Sequence, residues 1–114
     1  MIEYMDPPVI ISIVADYFKV PFEEVIGTKH NREFVRARHV SMYFVSIFCN
    51  GTLDKLAEPF GKSHDDMIYA RHSVNNQAWA YKEYRRELNM ILSILNKEFD
   101  PEFERYKQFD TDKS

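Results

Sequence analysis

Residues 52–69 read TLDKLAEPFGKSHDDMIY and contain two helix starts, one on each side of a tight glycine turn. Thr52 is a favourable N-cap for a first short helix, which must end near Pro59 because an interior proline breaks a helix. Ser63 with Asp66 three residues later has the form of a capping box, so a second helix begins there. The pattern predicts a helix-turn-helix, a motif whose second helix enters the DNA major groove.

Helical patterns continue along the rest of the chain. Apolar residues recur at helical spacing, and prolines, glycines and capping residues mark where the segments begin and end. We therefore predict helices over about residues 7–18, 22–26, 32–49, 53–60 and 63–99. Neither glycine nor proline interrupts the last one, and its apolar stripe comprises Trp79, Tyr84, Leu88, Ile91, Leu92 and Leu95.

Length and composition agree with one small all-α domain. The chain has 114 residues, with only three glycines and five prolines, too few for a turn-rich β-sandwich or barrel. The longest uncharged stretch, residues 39–53, is interrupted by polar residues and glycine, so we expect no membrane span. The N-terminus lacks a signal-peptide pattern and Cys49 is the only cysteine, which favours a reducing, cytoplasmic location.

The charged residues are segregated along the chain. The net charge of −3, from 15 basic and 18 acidic side chains, by itself disfavours nucleic acid, because phosphates attract positive charge. Residues 1–26 carry five acids and one lysine, and residues 99–114 carry five acids and three bases. Residues 27–40, in contrast, carry four bases and one acid. A compact basic segment therefore lies between two acidic ends.

Three blocks follow one another in the chain: ISIVADYFKV at residues 11–20, REFVRARHVSMY at residues 32–43 and TLDKLA at residues 52–57. They resemble, in the same order, the VA.YY.I, R.IV.ARQIAMYL and SLPEIG segments of the C-terminal DNA-binding domain (domain IV) of the bacterial replication initiator DnaA. The resemblance runs from about residue 9 to residue 74. It implies an all-α helix-turn-helix bundle of the Trp-repressor-like type that binds duplex DNA.

The resemblance also implies DNA-binding roles for the basic segment. The family's arginine at the start of the second block enters the minor groove, and Arg32 holds that position. Basic residues beside it bind phosphates in the family, a role that Lys29, Arg36 and Arg38 would take. The spacing of Arg32, Arg36 and His39 places these three on one helix face. Alternatively, the arginines form a solvated face that pairs with the acidic N-terminal helix.

The start of the second helix departs from the family. Its members begin RDHTTV.HA, whereas this chain has SHDDMIYA at residues 63–70. Asp65 and Asp66 replace two threonines that contact base edges; a carboxylate can accept from cytosine but is repelled by phosphates. Alternatively, His64 and the aspartates only support the positive helix start. The candidate base-reading residues are Ser63, His64, Asp65 and Asp66, with Met67 or Tyr69 one turn further, and Lys62 in the turn is a further candidate DNA-binding residue.

Other chemistries lack support in the sequence. No catalytic Ser/His/Asp arrangement, phosphate-binding glycine loop or dinucleotide fingerprint is present, so we expect neither an enzyme nor a bound nucleotide or other cofactor. The His64-Asp65 pair lacks further ligands at metal-binding spacing, so we expect no metal site. Cys49 lies among apolar residues and is typical of a core cysteine.

We expect three parts: a DnaA-like helix-turn-helix domain over residues 1–74, a C-terminal helix over residues 75–99, and a charged tail over residues 100–114, disordered or with one helical turn. The helix either folds back onto the domain, which we favour, or makes a homodimer with a second copy. The expected function is duplex DNA binding in the regulation of replication or transcription, without the initiator's ATPase. The alternative is a protein-interaction module that kept the fold and lost its DNA affinity.

Overall fold

Six α-helices make up the fold of the part of the chain that the structure describes. The computed structural model describes residues 4–99, and no β-strand occurs among them. None of the helices in this part is long and apolar enough to cross a bilayer. The expected all-α class is confirmed. The helices are α1 (Pro7–Phe18), α2 (Phe22–Val25), α3 (Arg32–Phe48), α4 (Leu53–Ala57), α5 (His64–Ala80) and α6 (Lys82–Phe99).

The central element is α3, which packs against α1, α2, α4 and α5. Because neighbours surround it, its residues are buried on more than one side. Among the largest fully buried side chains are Phe44 and Phe48 of α3, Ile10 and Ile11 of α1, and Phe60 just after α4. The core therefore links the N-terminal helices to the helix-turn-helix through α3.

The first helix of the motif is shorter than the predicted 53–60. After α4 the chain continues as a single 3-10 turn over Glu58–Phe60, because Pro59 cannot donate the next helical hydrogen bond. At the other end of α4, Thr52 Oγ1 accepts a hydrogen bond from the Lys55 N–H at 3.3 Å, which is the predicted N-cap. Gly61 then has a φ of +63°, a left-handed conformation that glycine adopts at little cost.

The prediction of one uninterrupted helix over residues 63–99 is wrong. Tyr81 has extended backbone angles, φ −126° and ψ 117°, and separates α5 from α6. The Arg85 guanidinium donates hydrogen bonds to the carbonyl oxygens of Ala78 (2.8 Å) and Trp79 (3.1 Å) in the last turn of α5, where carbonyls lack helical partners. The break turns α6 back onto α1 and α5, so that its apolar stripe is buried.

The break also corrects two assignments made from the sequence. Residues 75–80 belong to the second helix of the motif and not to the C-terminal helix. Trp79 is not part of the buried stripe, because it is 87% exposed at the α5–α6 joint. The stripe residues that are buried are Tyr84, Leu88, Ile91, Leu92 and Leu95. The charged tail over residues 100–114 lies outside the described residues.

Candidate nucleic-acid interface

A reciprocal cap holds the start of α5. Ser63 Oγ accepts a hydrogen bond from the Asp66 N–H at 3.3 Å. Asp66 Oδ2 in turn accepts from the Ser63 N–H at 2.9 Å and from the Ser63 hydroxyl at 3.0 Å. These bonds lower the pKa of the Asp66 carboxyl because they stabilise its charged form. The predicted capping box is confirmed, and it commits the Asp66 carboxylate to the helix start.

Two opposite faces run along α5. Met67, Ala70 and Val74 recur at helical spacing and are buried, because α5 packs on α3 and α4. On the other side of the helix, Asp65 and Tyr69 are both exposed and lie four residues apart. Residues at this spacing project from the same face, one turn from each other. We call Asp65 and Tyr69 the outward pair of α5.

Tyr69 and His39 join α5 to α3. Their rings meet edge to face, with centroids 5.7 Å apart. Burial lowers the pKa of His39, and the nearby positive charges of Arg38 and Lys62 lower it further, so the ring is neutral at pH 7. The positive charge of Lys62, in the turn before α5, therefore acts on the ring at the contact between the two helices. Turn, α5 and α3 form one packed unit.

Arg38 anchors the loop that precedes α3. Its guanidinium donates hydrogen bonds to the carbonyl oxygens of Glu24 (2.8 Å), Val25 (2.9 Å) and Lys29 (3.1 Å). Arg38 is only 4% exposed, and this burial lowers the pKa of the guanidinium while the Glu24 charge opposes the shift. The phosphate contact expected from the sequence stays a prediction that this geometry disfavours, because the group is buried and three of its five N–H donors already bind carbonyl oxygens inside the molecule. Arg38 instead fixes the backbone of the loop.

Arg36 is also held within the molecule. It forms an ion pair with Glu87 of α6, and its guanidinium lies over the rings of Phe18 (5.4 Å to the centroid) and Tyr84 (5.0 Å). Such cation–π contacts add to the ion pair. Its side chain is still partly exposed. Arg36 therefore connects α3 to α1 and α6, and only part of its charge faces solvent.

Lys29 and Arg32 are the basic side chains of this segment that lie at the surface. Lys29, in the exposed loop, forms an ion pair with Glu24 at 3.3 Å. Arg32 is exposed in the first turn of α3 and has no ion-pair partner within residues 4–99. Its charge is therefore the one in the segment that is most available to a ligand.

A cleft of about 620 Å³ lies between the start of α3 and the α5–α6 joint. Arg32, Arg36 and His39 line it from α3, which confirms that these three share one face. His30 lines it from the basic loop, and Tyr81 lines it from the joint. The loop and α3 thus border a concave surface lined by cationic and aromatic side chains, together with Glu83 of α6.

The sequence pattern does not single out His30 or Tyr81 as functional residues. His30 belongs to the basic segment at 27–40, so the charge pattern was a signal that could have included it. Tyr81 marks the break between α5 and α6, for which the sequence carries no glycine or proline. Its place beside the α3 residues follows from tertiary packing alone.

The remaining reactive side chains show no catalytic arrangement in the described part of the chain. Burial raises the pKa of the Cys49 thiol to about 12, so the group stays an uncharged core thiol at neutral pH. Between residues 4 and 99, no group of three or more His, Cys, Asp or Glu side chains lies close enough to hold a metal ion. The functional features found there are charge, shape and hydrogen-bonding groups.

Comparisons with known proteins place this geometry in a family. The family model described as the bacterial dnaA protein helix-turn-helix matches residues 7–74, from α1 into α5. The chain is 33% identical over 92 residues to the chromosomal replication initiator protein DnaA of Corynebacterium jeikeium, a match that covers 80% of this chain and 15% of that protein. It is 29% identical over 90 residues to the corresponding protein of Aquifex aeolicus, covering 78% of this chain and 22% of that protein.

The extent of these matches defines what is shared. The chain spans about a fifth, or less, of the length of these relatives. Alignments that cover close to four fifths of the chain must reach past Tyr81, so the similarity continues from the motif into α6. The family match alone covers more than half of the chain. The chain therefore belongs to the bacterial dnaA helix-turn-helix family.

Proposed function

We propose that this protein binds duplex DNA and acts as a regulator of replication or transcription. Its relatives are named as chromosomal replication initiators. Helix-turn-helix proteins place the second helix of the motif in the major groove, with its first residues at the base edges. That helix is α5 in this chain, and its first turn begins at His64.

The observation that carries the proposal is the way in which the basic loop and α5 are both attached to α3. Arg38 binds the Lys29 carbonyl in the loop, and the next residue, His39, contacts Tyr69 on the outward side of α5. Adjacent residues of one helix therefore set the spacing between loop and reading helix. A fixed spacing lets the loop enter one groove of a duplex while α5 enters the neighbouring groove.

The basic residues would have different roles in DNA binding, according to how exposed their side chains are. Arg32, exposed and without an ion-pair partner among residues 4–99, would enter the minor groove, where a narrow groove concentrates negative potential. Lys29 and Lys62 would contact phosphates on either side. Arg36 and Arg38 would position α3 and the loop, because their guanidinium groups already bind partners inside the molecule.

The start of α5 would supply the base contacts. Ser63 and Asp66 are bonded to each other in the cap, so their role is to hold the helix start in place. The exposed side chains left to reach base edges are His64, Asp65 and Tyr69. The peptide N–H groups in the first turn of α5 would add an attraction for a nearby phosphate.

Duplex binding at two salt concentrations tests the proposal. Because each phosphate contact releases counterions, affinity should fall steeply between about 50 and 200 mM salt. Replacing the minor-groove arginine, Arg32→Ala, should weaken binding by about tenfold or more. The measurement is a titration of a labelled duplex followed by fluorescence anisotropy.

The control is Lys97→Ala. Lys97 is an exposed cation in the last turn of α6 that does not line the cleft, so the variant removes one positive charge elsewhere. Its affinity should stay close to that of the native protein. Undetectable binding at low salt, or equal losses in the two variants, would contradict the proposal.

A second candidate function is a protein-interaction module with the same fold. The α5–α6 joint favours it, because Trp79 and Tyr81 are both exposed there. Exposed aromatic side chains are enriched at protein interfaces. If the native chain fails to bind duplex DNA at low salt, this candidate becomes the better explanation of the surface.

A further inference from the structure

The two aspartates in the first turn of α5 differ in what their carboxylates do. Asp66 is turned back toward Ser63, from which its Oδ2 accepts two hydrogen bonds. The Asp65 side chain is 97% exposed. Only one contact is found for it, between its Oδ1 and His64 Nδ1 at 3.4 Å, so Oδ2 faces solvent without a partner in the described part of the chain.

The direction of Asp65 follows from the helical repeat. The buried side of α5 is defined by Met67, Ala70 and Val74. Successive residues of a helix are rotated by about 100°, so Asp65 lies almost opposite the buried side. Tyr69 lies on the same outward side as Asp65, one turn later. Asp66 lies about a quarter of a turn around the helix from the buried side, and its carboxylate there accepts the hydrogen bonds from Ser63. The carboxylate that projects straight away from the core is therefore that of Asp65.

The chemistry of a carboxylate restricts what it can recognise in the major groove. An ionised carboxylate only accepts hydrogen bonds. Guanine offers acceptors, thymine offers an acceptor and a methyl group, and adenine places its N7 acceptor beside its amino group. The N4 amino donor of cytosine has an acceptor on one side only, the O6 of the paired guanine, whereas the adenine amino group lies between its own N7 and the O4 of the paired thymine. A lone carboxylate at this position therefore favours cytosine over the other three bases.

We propose that Asp65 is a specificity-determining residue that selects a cytosine in the major groove, while Asp66 only caps α5. The inference rests on the proposed function, because it needs α5 in the groove. The threonines that Asp65 and Asp66 replace in the family carry no charge, so this chain reads a different duplex sequence. The Asp65 carboxylate also repels the phosphates of every duplex, and it thereby weakens binding to sites that lack the cytosine contact.

The two adjacent aspartates provide matched variants for the test. Asp65→Asn and Asp66→Asn each remove one negative charge within the same helical turn. Asparagine can donate and accept together and pairs with adenine N6 and N7. The experiment selects bound duplexes from a pool with randomised central bases, for the native 114-residue chain and both variants, and sequences what is retained. Circular dichroism checks that all three are folded.

The two variants should affect the base preference differently: Asp65→Asn should change it and Asp66→Asn should leave it unchanged. The native chain should enrich cytosine at one position of the retained duplexes. Asp65→Asn should lose that enrichment, gain adenine at the same position, and bind random duplex more tightly than the native chain. Asp66→Asn should keep the cytosine preference and show a lower melting temperature, because its cap is weakened.

The possible contrary results separate this inference from the proposed function. If all three chains bind duplex and the native and Asp65→Asn chains enrich the same bases, the assignment to Asp65 is wrong while DNA binding stands. If Asp66→Asn loses the preference and Asp65→Asn keeps it, the reading role belongs to Asp66. If no chain retains any duplex at low salt, both the proposed function and the inference are overturned.

Discussion

Arg38 combines a charged group with an interior position, and this combination determines how the loop before α3 is built. Its guanidinium satisfies three carbonyl oxygens of residues 24–29, a stretch that ends one short helix and then runs without regular structure. Without these donors the carbonyls would need water, and the loop would lose its fixed distance to α3. The exposed Arg32 depends on that distance for any role in a groove.

Replacing Arg38 should therefore destabilise the whole domain. We expect Arg38→Met to lower the free energy of unfolding by about 2–4 kcal/mol, because the aliphatic stem stays buried while hydrogen bonds from a charged donor are lost. Urea denaturation followed by circular dichroism measures the change. Arg86→Met, at an exposed position of α6, should change it by less than about 0.5 kcal/mol. An unchanged midpoint for Arg38→Met would contradict the anchoring role.

His39 should make stability depend on pH below its unfolded pKa. Burial, aided by the charges of Arg38 and Lys62, lowers the folded pKa of His39 below its ordinary value of 6.5, so the folded state disfavours the protonated ring. Stability is then fully present above pH 6.5. It falls as the pH drops through the interval between 6.5 and the lower folded pKa, because the unfolded chain binds a proton that the folded one does not. Urea midpoints measured between about pH 8 and pH 5 should show this loss, and His39→Gln should flatten the curve. If the urea midpoints of the native protein and of His39→Gln depended on pH to the same extent, the prediction would be contradicted.

At the scale of elements, the sequence predicts the starts of the helices better than their continuity. The cap at Ser63 and the turn at Gly61 are local, since each depends on residues within four positions, and both occur as predicted. The break at Tyr81 has no local signal. It arises because α6 gains a buried stripe against α1 and α5 when the chain turns back, and because Arg85 binds the freed carbonyls. Tertiary packing of this kind cannot be inferred from helical periodicity alone.

The interactions of the site residues also depend on tertiary packing and could not be inferred from the sequence. The basic segment was recognisable as a cluster, but charge alone does not tell a buried arginine from an exposed one. Arg38 is bonded to carbonyls, Arg36 pairs with Glu87, and Lys29 pairs with Glu24. Their partners lie on α2, on α6 or in the loop, at sequence distances that a motif does not specify. The capping role of Asp66, in contrast, could be predicted because its partner is three residues away.

Two positions on α6 provide a test of the fold-back. Leu88 is 1% exposed within the stripe, whereas Met90, two residues later, is 59% exposed on the outer side. Leu88→Ala should cost about 2–5 kcal/mol of unfolding free energy, because it removes buried methyl groups and leaves a cavity. Met90→Ala should cost less than about 0.5 kcal/mol. Chemical denaturation of both variants measures the difference, and similar costs at the two positions would show that α6 is not packed in this way.

At the scale of the whole molecule, the segregated charge of the sequence is largely neutralised inside the fold. The basic segment faces acids supplied by other elements: Glu24 lies beside Lys29 and Arg38, and Glu87 binds Arg36. Within the basic segment, Arg32 is the cation left without an ion-pair partner among residues 4–99, on a chain of net charge −3. DNA affinity should therefore rest on a few well-placed contacts and not on overall charge.

The fold-back also determines how many copies should bind one duplex. A homodimer through the C-terminal helix would need its apolar stripe at the surface, but that stripe is buried against the chain's own helices. On α6 the large apolar side chains that remain exposed are Met90 and Ile94. A stable interface usually buries about 800 Å² on each partner, far more than two side chains provide.

We therefore expect a monomer that binds one duplex site per chain, without the two-fold half-sites that dimeric helix-turn-helix proteins require. Sedimentation velocity of the 114-residue chain should give a single species of 13.6 kDa across a wide concentration range. With a labelled duplex carrying one site, the complex should have the mass of one chain and one duplex. A concentration-dependent shift toward twice the chain mass would contradict the prediction. Met90→Asp would then locate the interface, because a dimer built on the outer side of α6 should dissociate in that variant while the native chain stays paired.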